Sequence, residues 1–472
     1  MTEEARDTAA RQRLFIDEAA KHVDRLKEVT GHTPRACVVT FGCQMNARDS
    51  EKLTGILHAC GYEITDSEDA DFVIFNTCTV RENADNRLYG RLGALGGHKK
   101  NNPHMRVAVC GCMMQEEGAV ARLIKSYGFV DLIFGTFNIH RFAELLVTMF
   151  ETGERVVDVW REEREIVEDL PVVRKYPFKS GVNIMFGCNN FCSYCIVPYV
   201  RGRERSRAPE DILREVRALA SDGVKEIMLL GQNVNSYGQG SGFHVSFPEL
   251  LSDVCRVDGI ERVRFMSSHP KDLSDDLIGV MRREEKVARH LHLALQSGSD
   301  RILKLMNRHY TKAGFLTLVD KLRTRTPDIS LTTDIIVGFP TETDADVDDT
   351  IEVIEKAAFD NAFTFIYSKR AHTPAAAIKT DEDTAAKERI RRNFDRVLST
   401  VQESAKQRAR LLAHRTERVL VEGVNERDES LLTGRMSNNT LVHFPGDRSL
   451  IGSFVDVMTD ENHGFYYTGH KI

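Results

Sequence analysis

Three cysteines stand within eight residues of one another, in the run Cys188-Asn-Asn-Phe-Cys192-Ser-Tyr-Cys195. Three thiolates suit a 4Fe–4S cluster in which one iron has no protein ligand and stays open to bind another molecule. A zinc site normally needs a fourth Cys or His nearby, and the nearest histidines are His140 and His244. The spacing therefore predicts an iron–sulfur cluster, with a trio of buried thiols as the alternative.

The composition is that of a globular protein with several domains. A chain of 472 residues is too long for one hydrophobic core, and its 42% hydrophobic and 28% charged residues are ordinary fractions. No apolar run approaches the length of a membrane span, and Met1–Ala10 has no apolar segment typical of an export signal. We therefore expect a cytoplasmic chain without a membrane partner, whose ten cysteines serve metal binding or catalysis rather than disulfides.

Short apolar strands alternate with helical stretches in the first third of the chain. The predicted strands are Cys37–Thr40, Asp71–Phe75 and Arg106–Val109. The predicted helices that follow them are Ser50–Cys60, Ala84–Leu95 and Glu116–Tyr127. This alternation predicts an α/β domain over residues 35–153, with a doubly wound parallel sheet, after an extension (1–34) that holds one amphipathic helix.

One cysteine follows each of these three strands: Cys43, Cys78 and Cys112, which are 35 and 34 residues apart. Because the carboxyl ends of parallel strands meet at one edge of a sheet, we expect the three thiols to converge there. They would form a second site with three thiolates. A strand–helix repeat alone could set the even spacing, but it does not explain a cysteine at every return. The other four cysteines are expected to be packing residues: Cys37, Cys60, Cys110 and Cys255.

A linker of mixed charge (154–180) leads into a longer α/β series (181–412). Its six predicted strands are Gly181–Phe186, Glu226–Leu230, Arg262–Met266, Leu291–Leu295, Leu331–Val337 and Phe363–Tyr367. Six strand–helix units predict a partial (βα)6 barrel whose active face lies at the carboxyl ends of the strands. Polar and glycine residues gather at those ends, where helix caps or turns are the alternative to a binding rim: Gln232, Asn233, Ser268, Gln296, and Gly338 after Val337.

The last segment, residues 413–472, holds short β runs separated by turn residues, which predict a small antiparallel β-barrel. Residues 414–472 carry six basic and nine acidic residues, so the barrel does not have the charge of a basic RNA clamp. The stretch before it, Lys387–Arg418, has helical composition and ten Lys or Arg against four Asp or Glu. On charge alone, contact with RNA and a solvated helix face are equally good interpretations of this stretch.

These motifs resemble the radical S-adenosylmethionine (SAM) methylthiotransferases over about residues 36–472. Thr40–Asn46, Asn76–Asn83 and Cys110–Gln115 resemble the three cysteine loops of that family's N-terminal domain. Gly187–Cys195 resembles its radical SAM site, and Leu230–Gly238 resembles the branch that acts on isopentenyladenosine in tRNA. The C-terminal segment resembles the RNA-associated TRAM domain.

The resemblance implies a methylthio transfer to C2 of N6-isopentenyladenosine, next to the anticodon of tRNA. It implies two 4Fe–4S clusters and SAM as cofactors. The catalytic ligands of the first cluster would be Cys188, Cys192 and Cys195, and those of the second Cys43, Cys78 and Cys112. The residues expected to contact SAM are Gln232, Asn233, Ser268, Gln296, Val337 and Gly338.

The expected partners are a tRNA anticodon stem-loop, an electron donor of the flavodoxin or ferredoxin type, and a sulfur donor of unknown identity. Four arginines at every second position would face tRNA phosphates: Arg201, Arg203, Arg205 and Arg207. An ion-pair network with Glu204 and Glu210 is the equal alternative for these four residues.

Three rival functions remain open at this point. A sister methylthiotransferase would act on threonylcarbamoyladenosine or on a ribosomal protein, and nucleoside mass spectrometry would distinguish it. A non-catalytic iron–sulfur protein that binds RNA would not cleave SAM under dithionite. A zinc protein would be colourless, whereas a protein with two clusters is brown and holds about eight irons per chain.

Overall fold

The computed structural model describes residues 3–80, 82–162, 166–380, 383–411 and 413–472. Parts of two sequence predictions, residues 163–165 of the linker and residue 412 at the end of the central domain, lie outside these residues. The chain divides into two compact units. The first comprises Met1–Tyr176, Met185–Asn189 and Cys195–Ile212, and the second comprises Pro177–Ile184, Asn190–Tyr194 and Leu213–Ile472.

A parallel sheet of six strands forms the centre of the first unit. Its strands are β1 (Arg35–Thr40), β2 (Glu63–Ile64), β3 (Phe72–Thr77), β4 (Arg106–Gly111), β5 (Leu132–Phe134) and β6 (Val156–Asp158). The strand order is β2-β1-β3-β4-β5-β6, so the sheet is wound in both directions from β1. The predicted doubly wound sheet is confirmed. It holds three strands more than predicted, because β2, β5 and β6 have only two or three residues and leave little hydrophobic pattern.

Five helices cover this sheet: α1 (Glu3–Thr30), α2 (Gln44–Ala59), α3 (Glu82–Asn101), α4 (Glu117–Ser126) and α5 (Phe142–Thr152). One apolar cluster joins α1, α2 and α5 to the sheet, and a second cluster joins α3 and α4 to it. Every residue of β3 is buried, as expected for a parallel strand with helices on both faces. The amphipathic helix predicted for the extension is α1, and its residues Ala19 and Val23 lie in the core of this unit.

Eight strands follow along the chain: β7 (Lys179–Asn183), β8 (Met185–Phe186), β9 (Arg205–Ser206), β10 (Glu226–Leu230), β11 (Arg262–Phe265), β12 (His290–His292), β13 (Ser330–Val337) and β14 (Asn361–Ile366). The helices among them are α6 (Val197–Arg201), α7 (Pro209–Ser221), α8 (Phe247–Cys255), α9 (Asp275–Arg283), α10 (Asp300–Leu305), α11 (Lys312–Arg325) and α12 (Asp344–Ala357).

The strands β8 and β9 form an antiparallel pair in the first unit. The other six strands of this series belong to the second unit and form two parallel sheets, β11-β10-β7 and β12-β13-β14. A parallel bridge between Ser268 and Leu293 joins the ends of the two sheets, so the six strands follow one another in the order of a partial barrel. This arrangement confirms the predicted (βα)6 architecture.

The C-terminal part of the second unit begins with a long helix, α13 (Thr384–Arg410). Five strands then close a barrel: β15 (Thr416–Val424), β16 (Leu431–Arg435), β17 (Leu441–Pro445), β18 (Phe454–Asn462) and β19 (Tyr466–Lys471). The order is β15-β16-β17-β19-β18, and β17 and β19 are parallel while the other pairs are antiparallel. The predicted small β-barrel is confirmed, and it contains one parallel pair because an odd number of strands cannot alternate in direction around a closed ring.

Two buried arginines of β11 hold the C-terminal barrel to the partial barrel within the second unit. Arg262 donates to the carbonyl oxygens of Arg418 and Arg435, at 2.6 and 2.9 Å. Arg264 donates to those of Met436 and Ser437, also at 2.6 and 2.9 Å. No helix in the described ranges is long and apolar enough to cross a membrane.

Candidate iron–sulfur and cofactor sites

The three isolated cysteines of the first unit follow three adjacent strands. Cys43 precedes α2 directly after β1, Cys78 follows β3, and Cys112 follows β4. The Sγ atoms of Cys43 and Cys112 lie 3.7 and 3.8 Å from the same atom, Oδ1 of Asn46. A Cβ atom on Gly42, the neighbour of Cys43, would lie 3.0 Å from Sγ of Cys78. The structure therefore brings the three predicted thiols together at the carboxyl edge of the sheet.

Asn46 fixes the loops that carry two of these cysteines. Its side chain is fully buried, and Nδ2 donates to the carbonyl oxygens of Phe41 and Thr77 at 2.9 and 2.8 Å. Phe41 lies two residues before Cys43, and Thr77 directly precedes Cys78. One amide group thus holds both loops at a fixed separation, a role that sequence analysis did not assign although Asn46 stands in the first cysteine motif.

Arg201 contacts the same group of residues. Its Nε donates to Sγ of Cys112 at 3.2 Å, and its Nη2 donates to Oδ1 of Asn46 at 2.8 Å. Nη2 also lies 2.9 Å from a carboxylate oxygen of Asp49. The guanidinium is 6% exposed. The prediction that Arg201 faces tRNA phosphates is therefore corrected, because its hydrogen bonds are made inside the first unit.

The electrostatics agree with this close grouping. Burial raises the pKa of the Cys112 thiol to about 12, although Arg201 acts in the opposite direction. Burial acts to lower the pKa of Arg201, but the charges of Cys112, Asp49 and Cys43 outweigh it and raise that pKa overall. A thiolate at this position therefore has a cation within hydrogen-bond distance.

The donor set suits a cluster better than a single ion. Three thiols are the ligands that an iron–sulfur cubane takes, each on a different iron. The cysteine triad therefore fits the second predicted 4Fe–4S cluster by its chemistry and its common location.

The run Cys188–Cys195 is held at its start in the first unit and at its middle in the second unit. In the first unit, the backbone amide of Cys188 donates to the carbonyl oxygen of Gly202 at 3.1 Å. Gly187 has a φ of +74°, and a Cβ atom there would collide with the carbonyl oxygen of Arg203 at 1.9 Å. This turn therefore requires glycine, and it sets the direction in which the run leaves β8.

In the second unit, the segment after α10 holds the middle of the run. Nδ2 of Asn307 donates to the carbonyl oxygens of Asn190 and Phe191, at 3.2 and 3.0 Å. Nη1 of Arg308 donates to Sγ of Cys192 at 3.4 Å, and Arg308 is 7% exposed. Sequence analysis gave Arg308 no role. Its contact with Cys192 supports the assignment of that thiol as a ligand.

The predicted SAM residues lie after consecutive strands of the second unit. Gln232 and Asn233 follow β10, Ser268 follows β11 and Gln296 follows β12. These loops are in contact: the Val234 amide donates to the Ser267 carbonyl, and the Ala294 amide donates to the Ser268 carbonyl, both at 3.3 Å. The structure thus gathers the predicted rim at one edge of the partial barrel.

Two side chains of the rim are suited to a polar ligand. Ser268 is 1% exposed, and its Oγ has no hydrogen-bond partner among the described residues. Asn235 is 7% exposed, and neither atom of its amide has a partner there. Buried polar atoms are rarely left unpaired, so these atoms fit contacts with a bound cofactor. Asn235 was missed as a site residue, although it stands in the motif of the isopentenyladenosine branch.

Other predicted rim residues already have partners within the protein. Asn233 donates to Asp272 at 2.7 Å and accepts from the amide of His269 at 3.2 Å. The amide of Gly338 donates to the Glu342 carboxylate at 2.5 Å, and the carbonyl of Val337 accepts from the amide of Tyr367. Contacts of SAM with Asn233, Val337 and Gly338 therefore remain predictions to which the structure adds no unpaired atom.

The three arginines that follow Arg201 at every second position differ in exposure. Arg207 is 5% exposed and forms two hydrogen bonds with the Glu168 carboxylate, at 2.7 and 2.5 Å. Contact of Arg207 with phosphate is corrected in the same way as for Arg201, and its partner is neither of the two predicted glutamates. Arg203 is exposed and Arg205 is half-buried, so only these two keep the predicted role.

The predicted basic helix is also corrected in part. The helix α13 ends at Arg410, so Arg415 and Arg418 of the basic stretch lie beyond it, the latter in β15. Arg392 and Arg396 form ion pairs with Asp344 and Asp348 of α12. These pairs favour a solvated, ion-paired face over a free basic surface on this side of α13.

Comparisons with known proteins agree with the fold. Three family descriptions match the chain: the uncharacterized protein family UPF0004 over residues 35–135, the Radical SAM superfamily over 182–354 and the TRAM domain over 412–472. Among solved structures, the radical S-adenosylmethionine methyltransferase TsrM from Kitasatospora setae matches with a TM-score of 0.53 at 13% identity. That match covers 74% of this chain and 76% of TsrM. It shows the fold alone, and together with the family matches it defines a protein of the radical SAM class.

Curated relatives identify the family within this class to which the chain belongs. Three bacterial proteins named tRNA-2-methylthio-N(6)-dimethylallyladenosine synthase match almost the whole chain. That of Lachnoclostridium phytofermentans is 57% identical over 92% of this chain and 95% of its own length. The proteins of Acetivibrio thermocellus and Clostridium tetani are 52% and 49% identical over 95% and 92% of this chain, and over 93% and 96% of their own lengths. The chain therefore belongs to the tRNA-2-methylthio-N(6)-dimethylallyladenosine synthases, a family of radical SAM methylthiotransferases, which confirms the resemblance seen in the sequence.

Proposed function

We propose that this chain adds a methylthio group to C2 of N6-isopentenyladenosine, beside the anticodon of tRNA. Its cofactors are two 4Fe–4S clusters and SAM. The observation that carries the proposal is the convergence of Cys43, Cys78 and Cys112 in a chain that also has the radical SAM cysteine run. One three-thiolate site is enough to cleave SAM, whereas a second site suits an enzyme that must also deliver sulfur.

The substrate carbon explains why cofactors are needed. The C–H bond at C2 of the adenine ring is too strong for a side-chain acid or base to break. When bound, the reduced cluster and SAM supply a carbon radical that can remove this hydrogen. The protein supplies three thiolates for each cluster, so one iron at each site stays open for SAM or for sulfur. A fourth cysteine at either site would block that function.

Residues of the second unit hold the loop of Cys192 and line the expected SAM site. Arg308 and Asn307 fix the loop that carries Cys192. Ser268 and Asn235 offer buried polar atoms to SAM, and Gln232 and Gln296 lie on the same rim. Because Ser268, Asn235 and Gln296 are buried, they exclude water from the place where a reactive radical would form.

The RNA substrate must present one base to this site. Enzymes that act on a base take it out of its stack, and this costs little in a single-stranded anticodon loop. We infer that Arg203 and Arg205, which are not fully buried, contact its phosphates together with the TRAM domain. A flavodoxin or ferredoxin as reductant, a separate sulfur donor and a cytoplasmic location complete the proposal.

Nucleoside mass spectrometry tests this function. The anaerobic protein with both clusters is incubated with SAM, dithionite and sulfide, and with tRNA that either carries or lacks the isopentenyl group. We expect the methylthio product only on the prenylated tRNA. A product on threonylcarbamoyladenosine tRNA or on a ribosomal protein instead would overturn the substrate. A fully clustered protein that forms no deoxyadenosine would show that the clusters are structural.

A further inference from the structure

We propose that Arg201 is a positioning residue of the second cluster, which holds Cys112 as a ligand and raises the reduction potential of that cluster. The inference rests on the proposed function, because it takes the triad of Cys43, Cys78 and Cys112 as the ligands. It goes beyond that proposal in two respects. The site depends on the positive charge of Arg201, and this charge sets the reduction potential of the cluster.

The guanidinium is fixed by three different groups. It donates to the Cys112 thiol and to the side-chain carbonyl of Asn46, and it forms an ion pair with the Asp49 carboxylate, all within 3.2 Å. Asn46 is itself fixed by the two cysteine loops that it bonds. Arg201 therefore cannot change its orientation without breaking the arrangement that keeps the thiols together.

The charge balance of the site explains why a cation is needed. An oxidised 4Fe–4S core carries a charge of about +2, so three thiolate ligands leave the cluster with a net negative charge. Asp49 is 4% exposed and adds a second negative charge beside it. Arg201 is the cation in contact with both, and burying such charges without a partner is strongly unfavourable.

A hydrogen bond to a ligating sulfur also changes the redox chemistry. Donation from Nε of Arg201 to Sγ of Cys112 withdraws electron density from the cluster, and the positive charge favours the added electron. Both effects raise the reduction potential. Loss of the guanidinium should therefore make this cluster harder to reduce.

The position of Arg201 along the chain adds a second consequence. It is the last residue of α6, six residues after Cys195, a proposed ligand of the other cluster. Ile196 and Val200 of the same segment pack against Cys112, and Thr136 donates to the carbonyl of Val200 at 2.7 Å. One short rigid segment of the first unit thus carries a ligand of one cluster and the hydrogen-bond donor of the other.

Arg207 provides a matched control. It belongs to the same arginine-rich stretch, is 5% exposed and is paired with a half-buried carboxylate, that of Glu168. None of the hydrogen bonds described for it involves a cysteine. Replacement of either arginine removes a buried ion pair, but only the Arg201 replacement removes a donor to a proposed cluster ligand.

The test uses the full chain with Cys188, Cys192 and Cys195 all replaced by Ala, so that only the second cluster is bound. Arg201→Gln, Arg201→Lys and Arg207→Gln are added to this parent. Iron is counted after anaerobic reconstitution, and the cluster is titrated by electron paramagnetic resonance. We expect Arg201→Gln to change the reduction equilibrium at least tenfold, a shift of about 59 mV to more negative potential for one electron. Arg201→Lys should recover part of this shift, and Arg207→Gln should have no effect.

Equal shifts in the two Gln variants, or no shift in Arg201→Gln, would overturn the inference. If Arg201→Gln binds too little iron to titrate, the double variant Asp49→Asn/Arg201→Gln removes the unpaired carboxylate and is titrated in its place. The double variant is then compared with Asp49→Asn alone, and equal potentials in these two proteins would also overturn the inference. A parent that binds no iron would instead show that the triad is not a cluster site, and the inference would fall together with the proposed function.

Discussion

At the scale of the residue, the cysteine site depends on Asn46 as much as on the cysteines. A backbone loop after a strand has many conformations, and two such loops must be held at one separation for their thiols to share a cluster. The Asn46 amide does this with two donated hydrogen bonds, while its carbonyl accepts from Arg201. A single buried side chain thus connects the sheet edge, the thiols and the cation.

Replacing Asn46 with Ala should destabilise the protein and empty this site selectively. The change leaves two buried carbonyl oxygens without donors, which costs about 1–3 kcal/mol each. We expect a free energy of unfolding lower by about 2–6 kcal/mol in urea denaturation, and a loss of iron from the second site only. Asn393→Ala, at a buried asparagine of α13 that contacts Asp344, is the control and should leave the iron content unchanged. An Asn46→Ala protein with full iron content would contradict this role.

Glu342 makes stability depend on pH. Burial raises the pKa of its carboxyl to about 7 from an ordinary value of 4.5. The folded chain keeps this proton to a higher pH than the unfolded chain does, so stability falls as pH rises from about 4.5 to about 7 and is then constant. Glu342→Gln removes this dependence. The variant should gain up to about 3 kcal/mol relative to the wild type at pH 8 and almost nothing at pH 4.5, at about 1.4 kcal/mol per pKa unit.

Chemical denaturation of both proteins at several pH values between 4.5 and 8 measures this difference. If the difference in free energy of unfolding between the variant and the wild type is the same at all pH values, Glu342 does not hold a proton in the folded chain at pH 6. If this difference grows as pH falls, the pKa of Glu342 is not raised in the folded chain.

At the scale of the element, the segment after the first domain passes directly over α2. A Cβ atom on Gly55, in the middle of that helix, would lie 2.4 Å from the backbone carbon and oxygen of Pro171. Nearby, the amide of Val173 donates to the carbonyl of Glu51 at 3.0 Å. Glycine is unfavourable inside a helix, and the close approach of this segment explains its presence at Gly55.

Two glycine replacements test this contact against helix propensity. Gly93 lies in the exposed part of α3, and a Cβ atom there would meet nothing within 4 Å. Gly93→Ala should stabilise the protein by about 0.5–1 kcal/mol, because alanine favours the helix. Gly55→Ala should destabilise it by about 1–3 kcal/mol, because the segment at Pro171 must move. Urea denaturation gives both values, and a stabilising Gly55→Ala would show that the segment is not packed on α2.

Strands with long apolar runs could be predicted from the sequence, and very short strands could not. The strands β10 and β13 agree with their predicted ranges to within one residue, because their apolar runs are clear. The strands β2, β5 and β6 could not be predicted, since pairing in the sheet rather than residue pattern defines them. The arginine stretch was misread at two positions for a related reason. Arginines at every second position suggested one exposed face of an extended segment. The helix α6 and the strand β9 interrupt that segment, and Arg201 and Arg207 are buried.

At the scale of the whole molecule, the two cysteine groups were predictable because each has a simple geometric cause. Close spacing in the chain makes one triad, and equivalent strand ends make the other. The side chains that contact these cysteines were not predictable from spacing: Asn46, Arg201 and Arg308. Their roles depend on which loops the fold brings together. The domain boundaries stay predictions, because contacts such as those of Arg262 and Arg264 join the partial barrel and the C-terminal barrel in one unit.

The central claim is that this chain carries two separate clusters, each on three cysteines. Iron and sulfide analysis of the anaerobically reconstituted protein tests it most directly, with the wild type beside Cys43→Ala, Cys192→Ala and Cys255→Ala. We expect about eight irons in the wild type and in Cys255→Ala, whose cysteine is a buried packing residue of α8, and about four in each of the other two variants. A Cys43→Ala protein that keeps all its iron, or a wild type with only about four irons, would contradict the account.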